Sequence, residues 1–512
     1  MISKVFSSIM TGIDAILCEV EVDVSKGGMG ELKLVGLADA AVRESISRIQ
    51  AALRNSGYRW PGPKVTINLA PADLRKDSAA FDLPIAIASL LAGAQVESKI
   101  EGEYLLAGEL ALDGRVRPVK GALAIAMLAH KLGKAGVILP VENAREAAVV
   151  TDIDIIPVRF LSDAIGFLTG EYQLEPTNVD IEDVFSQSSQ YEIDFADVRG
   201  QESAKRALTI AAAGHHNIIM IGPPGSGKTM LSKRIPTILP SLSLAESLET
   251  TRIYSARGLL EPGQSLLAKR PVRTPHHSAS SASLIGGGAI PQPGEISLAH
   301  HGVLFLDEFP EFARTTLEMV RQPLEDGCVT IPRVHSTLKF PASIMLVAAM
   351  NPCPCGYYTD PKRPCKCSPK QVGNYMSRLS GPLIDRIDIH IEVPPVPWKK
   401  LRGEQAGLSS NDMRNIVTQT RETQRKRFDS ADCQSTITNA TMSSKQVRKF
   451  CKLDQGGELL LKQAMTELGL SARAHDKILR IARTIADLEQ KEQIQTHHIA
   501  EAIQYRKLDR QF

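Results

Sequence analysis

The run NIIMIGPPGSGKTML, from Asn217 to Leu231, places an apolar strand before Gly222, four residues, Gly227, Lys228 and Thr229, and helix-forming sequence after them. Glycines at that spacing let successive backbone N–H groups face one anion. A lysine then reaches the β and γ phosphoryl oxygens, and a threonine hydroxyl holds Mg²⁺. Gly222, Pro223, Pro224, Gly225, Ser226, Gly227, Lys228, Thr229 and Met230 are the expected cradle for ATP, with Thr229 an expected Mg²⁺ ligand. Downstream, HGVLFLDEF is a buried-type strand ending in Asp307 and Glu308, at the carboxyl end where α/β sheets bind ligands. Asp307 is expected to hold Mg²⁺ through water and Glu308 to polarise the attacking water. A further core strand, ASIMLVAAMN, ends in Asn351.

Four of the eight cysteines stand in two Cys-x-Cys pairs just beyond, in NPCPCGYYTDPKRPCKC. Cys353, Cys355, Cys365 and Cys367 are the right number and type for a tetrahedral structural Zn²⁺, although each arm is one residue tighter than the usual Cys-x₂-Cys. Free thiols and a redox pair remain open as alternatives. Cys18, Cys328, Cys433 and Cys451 read as isolated thiols.

The elements that must position these groups fall into segments. A length of 512 residues suggests roughly three domains. Residues 1–170 alternate strand-like and helical runs and read as one α/β domain; 171–192 are polar and read as a linker. Strands and helices alternate again over 193–396, and 397–512 follows helical periodicity. Apolar residues at 43% and charged residues at 23% describe a folded chain rather than a disordered one. A formal charge of +3 is too mild to imply nucleic acid, so any such site must be local. With no long apolar run and no secretory leader pattern, the expectation is a cytoplasmic protein without a membrane span.

Taken together, DFADVRGQ leading into the phosphate loop, VLFLDE, Asn351, LIDRIDI and SARAHDKILR resemble the AAA+ ATPases. The resemblance implies a homo-hexameric ring with ATP between subunits. In it Asn351 senses the γ-phosphate, Arg386 acts in trans on a neighbour's nucleotide and Arg473 acts in cis, with Arg378 competing for the finger role. Two inserted stretches, RPVRTPHHSASSASLIGGGAIPQPGEISLAHHG and LEDGCVTIPRVHSTLKFPAS, resemble the helix-2 insert and pre-sensor-1 hairpin of the clade of magnesium chelatase ATPase subunits and ring helicases. By that resemblance Arg333 and Lys339 are candidate contacts to DNA phosphates.

The first segment resembles the Lon protease domain, an S5-like α+β fold, through LLAGELALDGRVRPVKGALAIAMLAHKLGKAGVILPVENAREA. A Lon-type reaction needs a serine with a lysine beside it. Ala80 stands at the nucleophile position, Ser78 is out of register and Lys120 comes before the helix that should carry the base. The order of a Lon-like domain without its dyad, a chelatase-like AAA+ core and a helical lid resembles the ComM family, also called YifB. That resemblance implies a DNA helicase that drives branch migration and integrates donor DNA in natural transformation. The alternatives are a chelatase-type ATPase that remodels a partner protein, and a Lon-like ATP-dependent protease. Chelatase subunits are expected to resemble only the later part of the chain, which disfavours the first alternative.

Overall fold

In a computed structural model, residues 2–25, 31–37, 39–76, 78–100, 102–187, 191–288, 290–332, 337–358, 360, 363–397, 407–429 and 438–506 are described. The chain forms two compact units, one of residues 1–188 with 243–268, the other of 189–242 with 269–512. No helix among the described residues is long and apolar enough to cross a membrane.

In the first unit, β1 (Ile2–Thr11) and β2 (Asp14–Ser25) pair antiparallel in full register from Ile2 with Asp23 to Thr11 with Asp14, about a turn that uses Gly12 at φ 68°. Alternation along β2 buries Cys18, Val20 and Val22 on one face. With β3 (Glu31–Val35), β4 (Lys64–Ala70), β5 (Tyr104–Leu106), β8 (Gly136–Pro140) and β9 (Asp154–Val158) they form a mixed sheet in the order β3-β4-β2-β1-β5-β8-β9. β6 (Glu109–Leu110) and β7 (Val116–Arg117) form a separate short hairpin.

Residues 243–268 leave the run that carries the phosphate loop and complete this first unit. The helix Leu244–Arg257 starts on a capping box, with Ser243 Oγ accepting from Glu246 N–H and Glu246 accepting from Ser243 N–H. Its last turn is tied to Glu146, a buried carboxylate that accepts from Ser255 Oγ and, at 3.0 Å, from Leu123 N–H. Burial pushes the Glu146 pKa up against these hydrogen bonds. Leu123, Val149 and Leu266 close a small apolar cluster beside it, with Leu248 from the same helix. The 193–396 segment is therefore not one uninterrupted body. The excursion is set by partners more than a hundred residues away, which local periodicity does not report.

The second unit holds β10 (Ile218–Ile221), β11 (Val272–Arg273), the hairpin of β12 (Gly286–Gly287) with β13 (Gln292–Pro293), β14 (Val303–Leu306), the hairpin of β15 (Cys328–Pro332) with β16 (Thr337–Pro341), β17 (Met345–Met350) and β18 (Ile389–Glu392). Five of these make an all-parallel sheet in the order β11-β14-β17-β10-β18. Its central strands are buried on both faces and hence continuous apolar runs. The helices of 397–512 share one core with this sheet. In Ala472–Leu488, capped by Ser471 Oγ accepting from Ala474 N–H, Ile478, Ile481, Ala482 and Ile485 recur at helical spacing and are buried, and the helix packs on Glu202–Gly214. Truncating one of these isoleucines to alanine costs about 2–5 kcal/mol.

A buried carboxylate locks the last strand to that helix. Asp388, beside β18, is 2.8 Å from Lys477 Nζ, accepts from Asn217 N–H at 3.0 Å, and has the His216 ring at 3.6 Å. Burial opposes its charge, but Lys477 and His216 outweigh burial and hold its pKa well below the usual carboxylate range. Such a group contributes stability above its unfolded pKa of about 3.9 and loses it as pH falls toward the lower folded value. Asp388→Ala leaves the Lys477 ammonium buried and unpaired. We predict a loss of about 3–5 kcal/mol in denaturant unfolding at neutral pH, shrinking as the pH is lowered.

Candidate functional site

The phosphate loop leaves β10 and turns into the helix Lys228–Ile238 through two left-handed glycines, Gly225 at φ 75° and Gly227 at φ 94°. Gly222 is needed for a different reason, because a Cβ there would stand 2.2 Å from the Val393 carbonyl oxygen. Gln201 braces the loop from outside, its side-chain amide donating to Ser226 O at 3.2 Å and Pro394 O at 2.6 Å. Lys228 is buried and donates to Gly222 O at 2.7 Å, Pro223 O at 3.0 Å and Asn351 Oδ1 at 3.2 Å. Burial lowers its pKa, and Asp307 counters part of that shift. Among the described residues none bonds to the buried Ser226 Oγ. A glycine turn at a helix start, with a buried lysine and a spare hydroxyl, fits an anionic phosphate chain. Pro224 and Met230 are exposed at its rim.

β17 lies between β10 and β14, with Ile221 beside Met350 and Leu306 beside Ala348. That order brings the three strand ends together. Thr229 Oγ1 donates to Asp307 Oδ2 at 2.8 Å, and these hard oxygen donors suit Mg²⁺. Glu308 follows in a left-handed conformation, φ 50°, and its carboxylate is 3.0 Å from His277 Nδ1. A non-glycine residue held at positive φ stores strain of about 1–3 kcal/mol and occurs preferentially at functional sites. Tyr375 is buried, and burial and then Glu311 push its pKa up to about 12. His277 and Tyr375 were not picked out from the sequence. A second histidine in a His-rich insert and an aromatic in a short helix carry no spacing signal.

Arg386 and Arg473 are brought together elsewhere. They line one cavity of about 440 Å³ with Glu325, Asp385, Lys477 and Arg480, and no residue of the 222–230 loop lines it. Arg386 is nearly buried, 2.5 Å from Glu325 Oε1 and donating to Pro382 O. Glu325 is held below its usual pKa by Arg386 first, with Arg473 adding to the effect. Arg473, expected from the resemblance to act in cis, meets Arg386 and Glu325 in this cavity. The helix capped by Ser471 carries both Arg473 and Lys477, and Lys477 meets Asp388 two residues after Arg386. Arg378 lies apart, exposed and 2.6 Å from Glu311 in the turn after Glu308.

The hairpin β15–β16 exposes Lys339, paired across the strands with Thr330. Arg333 lies outside the described residues, as does Cys433. The helix Ser281–Ile285 before β12 packs on the helix Arg314–Asp326, which packs on β15, so both hairpins share one support. In the first unit Ser78 Oγ accepts from Ala80 N–H at 3.1 Å as a helix cap, Ala80 is buried and Lys120 is exposed. Among the described residues no lysine bonds to Ser78.

Comparison with known proteins gives three family matches. One described as Magnesium chelatase, subunit ChlI, covers residues 194–401; Subunit ChlI of Mg-chelatase covers 20–143; and Magnesium chelatase, subunit ChlI C-terminal, covers 407–506. The match over 20–143 removes the expectation that chelatase resemblance is confined to the later part of the chain. Over 513 residues the chain is 44% identical to the Escherichia coli (strain K12) protein named Uncharacterized protein YifB, covering 99% of this chain and 98% of that one. It is 42% identical over 510 residues to Competence protein ComM of Haemophilus influenzae, covering 99% and 97%. A partial likeness, 31% over 154 residues, joins it to Lon protease 2 of Bacillus subtilis, covering 28% of this chain and 27% of that one. Full-length similarity to the YifB and ComM relatives and the three chelatase-type matches agree with the site's architecture, and the chain belongs to the ComM/YifB family of magnesium-chelatase-like proteins.

Proposed function

We propose that the chain is an ATP-driven DNA motor that assembles as a homo-hexamer and migrates branched recombination intermediates, promoting integration of donor DNA by homologous recombination during natural transformation. The observation that carries the ATPase part is the convergence of Lys228, Asn351, Thr229 and Asp307 at one end of the parallel sheet, with Glu308 following Asp307. Lys228 would bind phosphoryl oxygens, the loop N–H groups would orient them, and Glu308, steadied by His277, would take a proton from water. Thr229 and Asp307 would hold Mg²⁺, which when bound neutralises charge on the β and γ phosphoryl oxygens. Arg386 and Arg473 share a cavity away from their own loop, which supports a role for both on a neighbour's nucleotide. The competence name of one relative at 42% identity supports the DNA reading. The exposed Lys339 hairpin suits contact with phosphates, and the first unit is read as a Lon-like fold that has lost its dyad and serves as a binding module.

The runner-up, remodelling of a partner protein in the manner of a metal chelatase, draws on the family matches alone. ATP turnover and remodelling of single-stranded, forked and four-way DNA separate the two. We expect hydrolysis stimulated by at least one of these DNAs and abolished in Lys228→Ala; no stimulation and no remodelling would overturn the motor. Glu308→Gln should keep ATP binding and lower turnover by about 10²–10⁴. Arg386→Ala and Arg473→Ala should each retain ATP binding while reducing turnover by up to about 10³. Lys339→Ala should weaken DNA binding uniformly across sequences and reduce the salt slope by about one.

A further inference from the structure

The loop between Asn351 and the helix Pro369–Met376 carries four cysteines that the ATP chemistry does not use. Their ligand atoms all lie within 4.8 Å of one another. The Sγ separations are 3.3 Å for Cys353 and Cys355, 3.7 Å for Cys353 and Cys365, and 3.6 Å for Cys355 and Cys365. Thiolates about 2.3 Å from a tetrahedral Zn²⁺ stand about 3.8 Å apart, so the cluster has nearly that size. A disulfide would need about 2.05 Å, and none of these three pairs approaches it. Cys367 N–H donates to Cys365 Sγ at 3.4 Å. Such a donor orients and tunes metal-bound sulfur. Arg363 closes the loop between the two arms by donating to the Tyr357 hydroxyl at 3.0 Å. An all-sulfur set selects a soft or borderline ion, zinc before magnesium.

A second observation links this cluster to the cradle. Gly356 stands at φ 85°, its N–H donates to Cys353 O at 2.9 Å, and a Cβ on it would lie 2.5 Å from Pro224 Cδ and 2.7 Å from Pro224 Cγ. The first turn of the cysteine loop therefore rests on the phosphate loop itself. Asn351 Cγ is 3.9 Å from the same point.

We infer that the four cysteines hold a structural Zn²⁺ which fixes the turn Cys353–Gly356 against Pro224, so that metal occupancy sets how well the cradle is formed for ATP. The coupling, though not the metal site, rests on the ATPase reading. Without the ion, the turn keeps its Gly356 N–H to Cys353 O bond but loses the sulfur–metal bonds that tie it to the second Cys-x-Cys arm. The cradle then spends part of its time in arrangements that do not bind, and apparent affinity falls by the competent fraction.

Metal analysis of the untagged full chain tests the site. About one zinc per chain is expected in the wild type and little in Cys365→Ser/Cys367→Ser. A wild type without zinc, or a double variant with unchanged zinc, overturns it. Binding of a fluorescent ATP analogue then tests the coupling. Chelator-stripped protein with Mg²⁺ restored should bind roughly tenfold more weakly and recover on adding Zn²⁺. Gly356→Ala should keep its zinc and also bind roughly tenfold more weakly. It carries the test even if the stripped protein unfolds. Affinity equal to that of the wild type in Gly356→Ala overturns the coupling. Failure of the zinc-loaded wild type to bind ATP would overturn the ATPase reading and the coupling with it, while the zinc count would stand.

Discussion

The placement of β17 between β10 and β14 is the constraint on which the site depends. Parallel pairing on both sides fixes the ends of three strands within side-chain reach. Lys228 from the first, Asp307 from the third and Asn351 from the strand between them then meet without any loop having to be long. Backbone hydrogen bonds of the ladder thus set the spacing of the chemistry. A side chain refines it: Gln201 ties the phosphate loop to the exit of β18.

A different kind of interaction fixes the other half of the machinery. Asp388 and Lys477 form a buried ion pair between the sheet and the helix Ala472–Leu488. Exposed ion pairs are worth little, but removal of one member of a buried pair strands the other in a poor solvent. The register of the helix against β18 follows, and with it the meeting of Arg386 and Arg473 in one cavity. Asn217 connects the two halves, donating to Asp388, holding the Arg386 backbone and accepting from Leu346 N–H in β17. The strand that opens the phosphate loop is thereby bonded to the residues that carry the distant arginines.

What could be read from the sequence was what is local. The phosphate loop, the acidic strand end and the four cysteines announce themselves because their function needs particular residue types at short fixed spacings. The apolar strands leading to Lys228, Asp307 and Asn351 were legible for the same reason. The position of Arg473 was not, because it depends on a helix docking that Asp388 and Lys477 decide across 89 residues. Nor was the excursion of 243–268, whose anchor is Glu146 in a different segment. Glu325 and His277, which hold Arg386 and Glu308, carry no motif at all; only folding reveals them.

The central claim is that one chain supplies the cradle and its neighbour supplies the arginines. Mixing two inactive variants, Lys228→Ala and Arg473→Ala, tests it most directly through the ATPase rate of the mixture. Neighbours that each lack a different half should rebuild working sites at a share of their interfaces, and activity should rise well above either variant alone. If the mixture stays as inactive as its parts while both variants still assemble together, Arg473 serves its own chain's nucleotide and the account is wrong.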